Sequence, residues 1–277
     1  METAIQQVRS RLLQLVSQQD GELFDSQDLD SHVRTRDAFI RMFCTHYHEL
    51  HDREEYDIES ISQKMLATLK WRKASGLTSM TAADIPKEFW NEVRMYEDDE
   101  YLIYVYTATR HRNVSKRWSD QTIRFTQYMQ NRFCLEAQHA GKKTITVTDA
   151  RGMAMSNVDR YSFEKGTQLM DEHFPCLFHK MGMIGMPGIL APIANAFIRY
   201  SLPGVVWKMF KSYNTNTIRE LFDDHHLPDI FGGNLKLNTP PLEESERLPS
   251  LKEKAKDWGL EERAIQQLIE FYGPTSN

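Results

Sequence analysis

Apolar and polar residues alternate with different periods along this chain, and the period changes near residue 80. In the first stretch, Ile58, Ile61, Met65, Leu66 and Leu69 fall at i, i+3, i+7, i+8 and i+11. They lie on one face of an α-helix that closes near Gly76. Residues 1–80 read as a helical lobe throughout, with a polar histidine- and acid-rich stretch at 45–55 taken as a loop or helix end. Residues 79–86 form the joint to the next unit. From Tyr101 the residues are β-branched and aromatic on both faces, as in a strand covered on both sides. A helix is expected over 120–137, a second strand over 144–148 closed by Asp149-Ala-Arg-Gly152, and a helix over 158–174. A third strand over 180–186, a fourth over 205–210 and a helix over 216–222 complete the series. Strands alternating with helices call for right-handed crossovers and a mostly parallel sheet.

One segment departs from this regular alternation. Residues 181–198 carry no charge in a chain with 26% charged residues. The length just allows a membrane span, but Pro187 and Pro192 with three glycines break the continuous helix that lipid requires. Divided at Pro187, the run becomes a strand and then a helix over 189–200. That helix presents Leu190, Ile193, Ala194, Phe197 and Ile198, more apolar surface than a short surface helix carries. It is expected to cover something greasy.

The tail opens with a Pro/Glu linker from residue 240. Short helices over 251–258 and 261–272 follow, stopped by Gly273-Pro274. Ala264, Ile265, Leu268, Phe271 and Tyr272 form one stripe, expected to pack on the helical lobe, with a free partner-binding helix as the alternative. This gives three units: a lobe at 1–80, an α/β domain at 81–239 and a helical tail at 240–277.

Composition narrows the chemistry. A net charge of −5 gives no general attraction to nucleic acid or anionic membrane. Three scattered cysteines without a CxxC pair support neither a disulfide framework nor a cysteine zinc site. The N-terminus has no basic segment followed by an apolar one, so a cytoplasmic protein is expected. No glycine-rich phosphate loop and no GxSxG elbow occur. His46, His48 and His51 lack HExxH spacing, His225-His226 fit a polar turn, and Cys176 reads as a packing residue. No enzyme activity, cofactor or metal is therefore expected. Two basic groups remain: Arg110, Arg112, Lys116 and Arg117 after the first strand, and Arg199, Lys208 and Lys211 flanking the apolar helix. The first group also fits a solvated loop. The second suits contact with anionic headgroups, because basic residues at the edge of an apolar element dock there.

Four motifs in order carry a resemblance. They are Met65-Leu-Ala-Thr-Leu-Lys-Trp-Arg-Lys-Ala-Ser-Gly76, Thr146-Val-Thr-Asp-Ala-Arg-Gly152, Phe174-Pro175 with the strand ending at Pro187, and Leu227-Pro-Asp-Ile-Phe-Gly-Gly233. Together they resemble the CRAL-TRIO lipid-transfer family of tocopherol-, retinaldehyde- and phosphatidylinositol-binding proteins, over about residues 57–235. They are also similar to the CRAL-TRIO module of motile-sperm-domain proteins, whose second domain and membrane anchor have no counterpart in these residues. The resemblance implies an α/β CRAL-TRIO fold with a helical N-terminal lobe, a lipid-sized cavity above the sheet, and a mobile lid that falls on the apolar helix 189–200. It implies a soluble binder or transfer protein for a hydrophobic small molecule or phospholipid, peripheral at membranes. The alternative is a protein-interaction scaffold whose pocket has collapsed around methionines. Where the family's phosphoinositide binders carry Glu after the matched proline, this chain has Cys176. Where they carry Arg-Lys before the long helix, it reads Glu54-Glu55-Tyr56. Only the lysine after the lid remains, as Lys208.

The wall is expected to include Tyr104, Tyr106, Met129, Thr146, Thr148, Ile184, Met186, Leu190, Ile193 and Phe197. Strand residues two apart share a face, so Tyr104 goes with Tyr106 and Thr146 with Thr148. Hydroxyls among apolar groups suit a mostly apolar ligand.

Overall fold

The computed structural model describes residues 1–51, 55–189, 191–192, 199–200, 209–222, 225–238 and 248–273. Helices α1 (Glu2–Ser17), α2 (Ser26–Leu29), α3 (Ala38–His51) and α4 (Ile58–Ser75) build the N-terminal lobe. Helix α4 starts at Asp57, whose carboxylate accepts from Ser60 N–H, and ends at Gly76 in the left-handed conformation. Its predicted stripe is buried at Ile61, Met65, Leu66 and Leu69. The polar stretch at 45–55 proves to be helical as far as His51, because Phe43, Cys44 and Tyr47 bury one face of α3.

The sheet has six strands among the described residues, in the order β5-β4-β3-β2-β1-β6. They are β1 (Val93–Glu97), β2 (Tyr101–Thr107), β3 (Lys143–Asp149), β4 (Lys180–Ile184), β5 (Phe210–Tyr213) and β6 (Leu237–Asn238). Strands β2 to β5 run parallel, and β1 pairs antiparallel with both β2 and β6. The crossovers are α5 (Lys116–Ala140) between β2 and β3, and α6 (Arg160–Glu172) between β3 and β4. The expected mixed α/β fold with a mostly parallel sheet is thus present. Strands β1 and β6 were not foreseen. β1, Val-Arg-Met-Tyr-Glu, is joined to β2 by a turn in which Asp98 accepts from the N–H groups of Glu100 and Tyr101 at 2.8 and 2.7 Å. The fourth parallel strand starts where the expected one ends: β5 begins at Phe210, and 201–208 lie outside the described residues. Its outer residues Lys211 and Ser212 are exposed, as polar groups on a sheet edge should be. Within 216–222 the expected helix is a single 3-10 turn, Ile218–Glu220.

The sheet separates two cores. On one side Ile103, Val105, Ile145, Val147 and Ile184 pack on Ile218, Leu221, Phe222 and Leu227. On the other lie α5 and α6, whose Phe125, Met129, Phe133, Phe163 and Met170 group with Met181 and Met183 of β4.

The tail helices α7 (Leu251–Asp257) and α8 (Glu262–Tyr272) pack on the α/β domain, contrary to the expected docking on the helical lobe. Leu251 N–H donates to Glu88, Trp258 lies against Phe89 and Trp118, and Tyr272 meets Trp118. The first basic group explains the difference. Arg117 donates to the Gly259 carbonyl, and Arg112 stands 5.7 Å over the Phe271 ring. Lys116 is 5.5 Å from the Tyr161 ring instead. Arg112 and Arg117 thus fasten the tail, while Arg110 is exposed.

Candidate functional site

Between the sheet and helices α5 and α6 lies a cavity of about 460 Å³, within the range of small-molecule sites. The sheet floor follows from register. Thr146 pairs with Tyr104 on one side and Met181 on the other, and Thr148 with Tyr106 and Met183, so these six side chains share one face. All six line the cavity. The roof comes from α5, through Phe125, Met129 and Phe133, and from α6, through Phe163, Gly166 and Met170. Along β2 and β3 the residues facing the cavity are only partly buried, while those facing away, Ile103, Val105, Ile145 and Val147, are fully buried. The cavity face is therefore open to a guest, whereas the opposite face is closed core.

Of the expected wall residues, Tyr104, Tyr106, Met129, Thr146, Thr148 and Met186 meet around this space. Ile184 does not. It stands on the opposite face, 0% exposed, against the Ile218–Phe222 side of the sheet. An unbroken strand over 180–186 would put Ile184 and Met186 on one face, but β4 ends at Ile184 and Gly185 has φ 71°. The left-handed residue resets the alternation and returns Met186 to the cavity side. Only glycine fits there, since a Cβ would lie 2.2 Å from Cγ of Arg151. Met181 and Met183 take the places on β4 that sequence parity had given to Ile184. Leu190, Ile193 and Phe197 lie outside the described residues, as does Lys208. Arg199 and Lys211 are both exposed. Ile189 and Tyr200 are 85% and 86% exposed. Cys176 adopts φ 54°, the one non-glycine in the left-handed region among the described residues.

Sequence reasoning missed the polar end of the cavity. Glu92 leads into β1, His111 follows β2, and Asp159 caps α6; all three line the space and are 0%, 2% and 8% exposed. His111 lies between the two carboxylates, Nδ1 3.6 Å from Glu92 and Nε2 3.4 Å from Asp159. These separations are ion-pair distances, too long for good hydrogen bonds. Asp159 also accepts from the hydroxyls of Ser119 at 2.6 Å and Ser162 at 2.7 Å. Glu92 accepts from the Tyr272 hydroxyl at 2.6 Å, which links the tail to the cavity. Burial alone would lower the His111 pKa, but Asp159 and Glu92 override it and raise it to about 9. Burial opposes ionisation of Asp159 as well, yet His111 and the two serines hold its pKa well below the usual carboxylate range. Burial and the Glu92 charge keep Tyr104 and Tyr106 protonated.

The sign of the pH dependence follows. His111 has a higher pKa folded than unfolded, so its contribution is complete below about pH 6.5 and is lost as pH rises through about 9. Asp159 acts in the other direction, contributing above its ordinary pKa and losing that contribution as acid is added. Denaturant unfolding of the wild type should therefore weaken by a few kcal/mol between about pH 6.5 and 9. In His111→Asn that alkaline slope should be flat, and an equally steep slope in the variant would contradict the assignment.

Among the described residues no group of side chains could hold a metal ion, and no helix is long and apolar enough to cross a membrane. The CRAL/TRIO domain model matches residues 89–233, which contain the floor, the roof and the polar end. No curated protein matches the chain. Among solved structures, the crystal structure of Sfh5 is similar at TM-score 0.62 and 11% identity, covering 97% of this chain and 96% of that one. At that identity the likeness speaks for the fold alone. With one family model matching more than half its length, the chain belongs to the CRAL/TRIO domain family.

Proposed function

We propose that the protein is a soluble, cytoplasmic carrier of one hydrophobic small molecule or phospholipid, held in the cavity and exchanged at membrane surfaces. Membership of a family of lipid-binding transfer proteins, which are not enzymes, supports a lipid-binding role in general. The observation that carries the more specific reading is the cavity itself: about 460 Å³ with walls that are mostly apolar, between a sheet and two helices. Open space of this size supports a carrier over a scaffold with a collapsed pocket. In this reading the apolar segment 189–200 is the lid, and Tyr104, Tyr106, Met129, Thr146, Thr148 and Met186 touch the ligand. Leu190, Ile193 and Phe197 would do so from the lid, with Arg199, Lys208 and Lys211 meeting headgroups.

The exposure of Ile189 and Tyr200 supports the membrane step, because large apolar groups in water gain from entering a bilayer. Each such side chain contributes roughly 1.5–3 kcal/mol on burial, so Ile189→Asp and Tyr200→Asp should each weaken vesicle binding about tenfold or more. Thermal unfolding should not change, since both side chains are exposed in the free protein. Lys211→Ala should weaken binding by about fivefold, only on anionic vesicles and only at low salt. Flotation with neutral and anionic vesicles, beside a donor-to-acceptor vesicle transfer assay, measures both. Unchanged binding and transfer in the two aspartate variants would overturn the docking surface.

A further inference from the structure

The polar end of the cavity is built for a particular kind of head group, an inference that rests on the carrier reading and extends it. Glu92 has one oxygen satisfied by Tyr272, while the other, Oε2, is buried with no hydrogen bond. Both ring nitrogens of His111 are likewise buried without one. A buried polar atom left unpaired costs about 1–3 kcal/mol. Here three such atoms meet at one end of a space lined mainly by Met, Phe and Tyr, with Thr146, Thr148 and Gln130 among them; Gln130 Oε1, on α5, is also buried without a hydrogen bond. Glu92 Oε2 and His111 Nδ1 face each other at 3.6 Å, and His111 Nε2 faces Asp159 Oδ2 at 3.4 Å, ion-pair contacts that stop short of hydrogen bonds.

The two kinds of unpaired atom select the guest. Glu92 Oε2 needs a donor, and the imidazolium N–H groups need an acceptor. A hydroxyl supplies both from one oxygen. An aldehyde or ester carbonyl accepts from His111 but leaves Glu92 unpaired. A carboxylate or phosphate adds a further negative charge between Glu92 and Asp159, where His111 is the buried cation; Arg160, which also lines the space, is largely exposed and pairs with Glu164. An ammonium satisfies Glu92 but meets the imidazolium with a like charge. We infer that the cavity takes an apolar molecule whose buried end is a hydroxyl, which donates to Glu92 and accepts from His111. The tail contributes to this selection indirectly, since Tyr272 occupies the other Glu92 oxygen and leaves Oε2 for the guest.

The test is a set of sixteen-carbon amphiphiles that differ only in the head: hexadecanol, hexadecanal, hexadecanoate and hexadecylamine. Each competes for the full-length protein against a fluorescent alkyl probe, and stoichiometry is read by native mass spectrometry. Hexadecanol should bind about tenfold or more tighter than the aldehyde, acid and amine, the gain expected of a hydrogen bond to a charged group. Glu92→Gln presents an amide in place of the unpaired oxygen, so the alcohol-to-aldehyde ratio should fall about tenfold. If that variant does not fold, the unmodified protein still decides, because the ranking of the four heads is the prediction. Equal uptake of all four would overturn the assignment while leaving the carrier reading intact, with water satisfying the polar end. Tighter binding of the acid or aldehyde would overturn it too. Uptake of none would overturn both.

Discussion

Replacing Arg72 by methionine should cost about 3–5 kcal/mol of stability at neutral pH, the typical loss when one partner of a buried ion pair is removed. Arg72 and Asp28 are each 2% exposed, and the guanidinium donates two bonds to that carboxylate at 2.8 and 2.9 Å. A third bond, at 2.8 Å, reaches Asn131 on α5 and joins the helical lobe to the α/β domain. The adjacent Trp71 reinforces the joint, stacking on His173 with ring centres 3.9 Å apart. Without Arg72, Asp28 would keep one short bond, from Thr78 at 2.7 Å, and its charge would be uncompensated. His32 would respond. Burial and then the Arg72 charge hold its pKa near 3, and its Nε2 is 3.7 Å from Asp28. Removing Arg72 takes away one of the causes that keep His32 neutral, so acid should cost the variant less than the wild type and the difference between them should narrow as pH falls from 7 to 5. Arg72→Met/Asp28→Asn should also recover part of the loss, because no buried charge then lacks a partner. Urea unfolding of the single and double variants at pH 7 and pH 5 checks this. A loss below about 1 kcal/mol for the single variant would show that the joint does not need the pair.

How much of this was legible beforehand depended on how local each signal is. The parity of Tyr104 with Tyr106 and of Thr146 with Thr148 could be read because each pair lies inside an unbroken strand. The same rule failed at Ile184 because its partner lay beyond Gly185, whose positive φ no alternation pattern reveals. The Trp-Arg-Lys run of α4 was visible as a motif. That Arg72 spans two units was not, since Asp28 and Asn131 are distant in sequence. The Glu92, His111 and Asp159 group was invisible for the same reason: three ordinary polar residues, each at the edge of an element, meet only when the sheet assembles. Asp159 in particular reads simply as a helix cap, which it also is. β1 was missed because a short polar-apolar alternation beside charged residues resembles a loop. The tail left one clue that was read as solvated charge, namely Arg112 and Arg117, whose partners turned out to be Phe271 and Gly259.

Filling the cavity should abolish uptake without harming the fold. Thr146 is at the centre of the floor, flanked by Tyr104 and Met181, with its side chain facing the open space. In Thr146→Phe the ring would enter volume that is empty of protein, so the overpacking penalty of a filled core should not apply in full. Phenylalanine also keeps the strand preference of the position, and the thermal midpoint should move by no more than a few degrees. A guest would lose the space above the floor and the contacts of Tyr104 and Met181, so retention should drop at least tenfold. Thr148→Phe, one pair further along, should act in the same direction.

The most direct measurement is native mass spectrometry of the wild type and Thr146→Phe after incubation with vesicles, with lipid extraction from the recovered protein. The account predicts one bound molecule per wild-type chain and a depleted, folded variant. Equal loading of both proteins, or a wild type that takes up nothing, would contradict it.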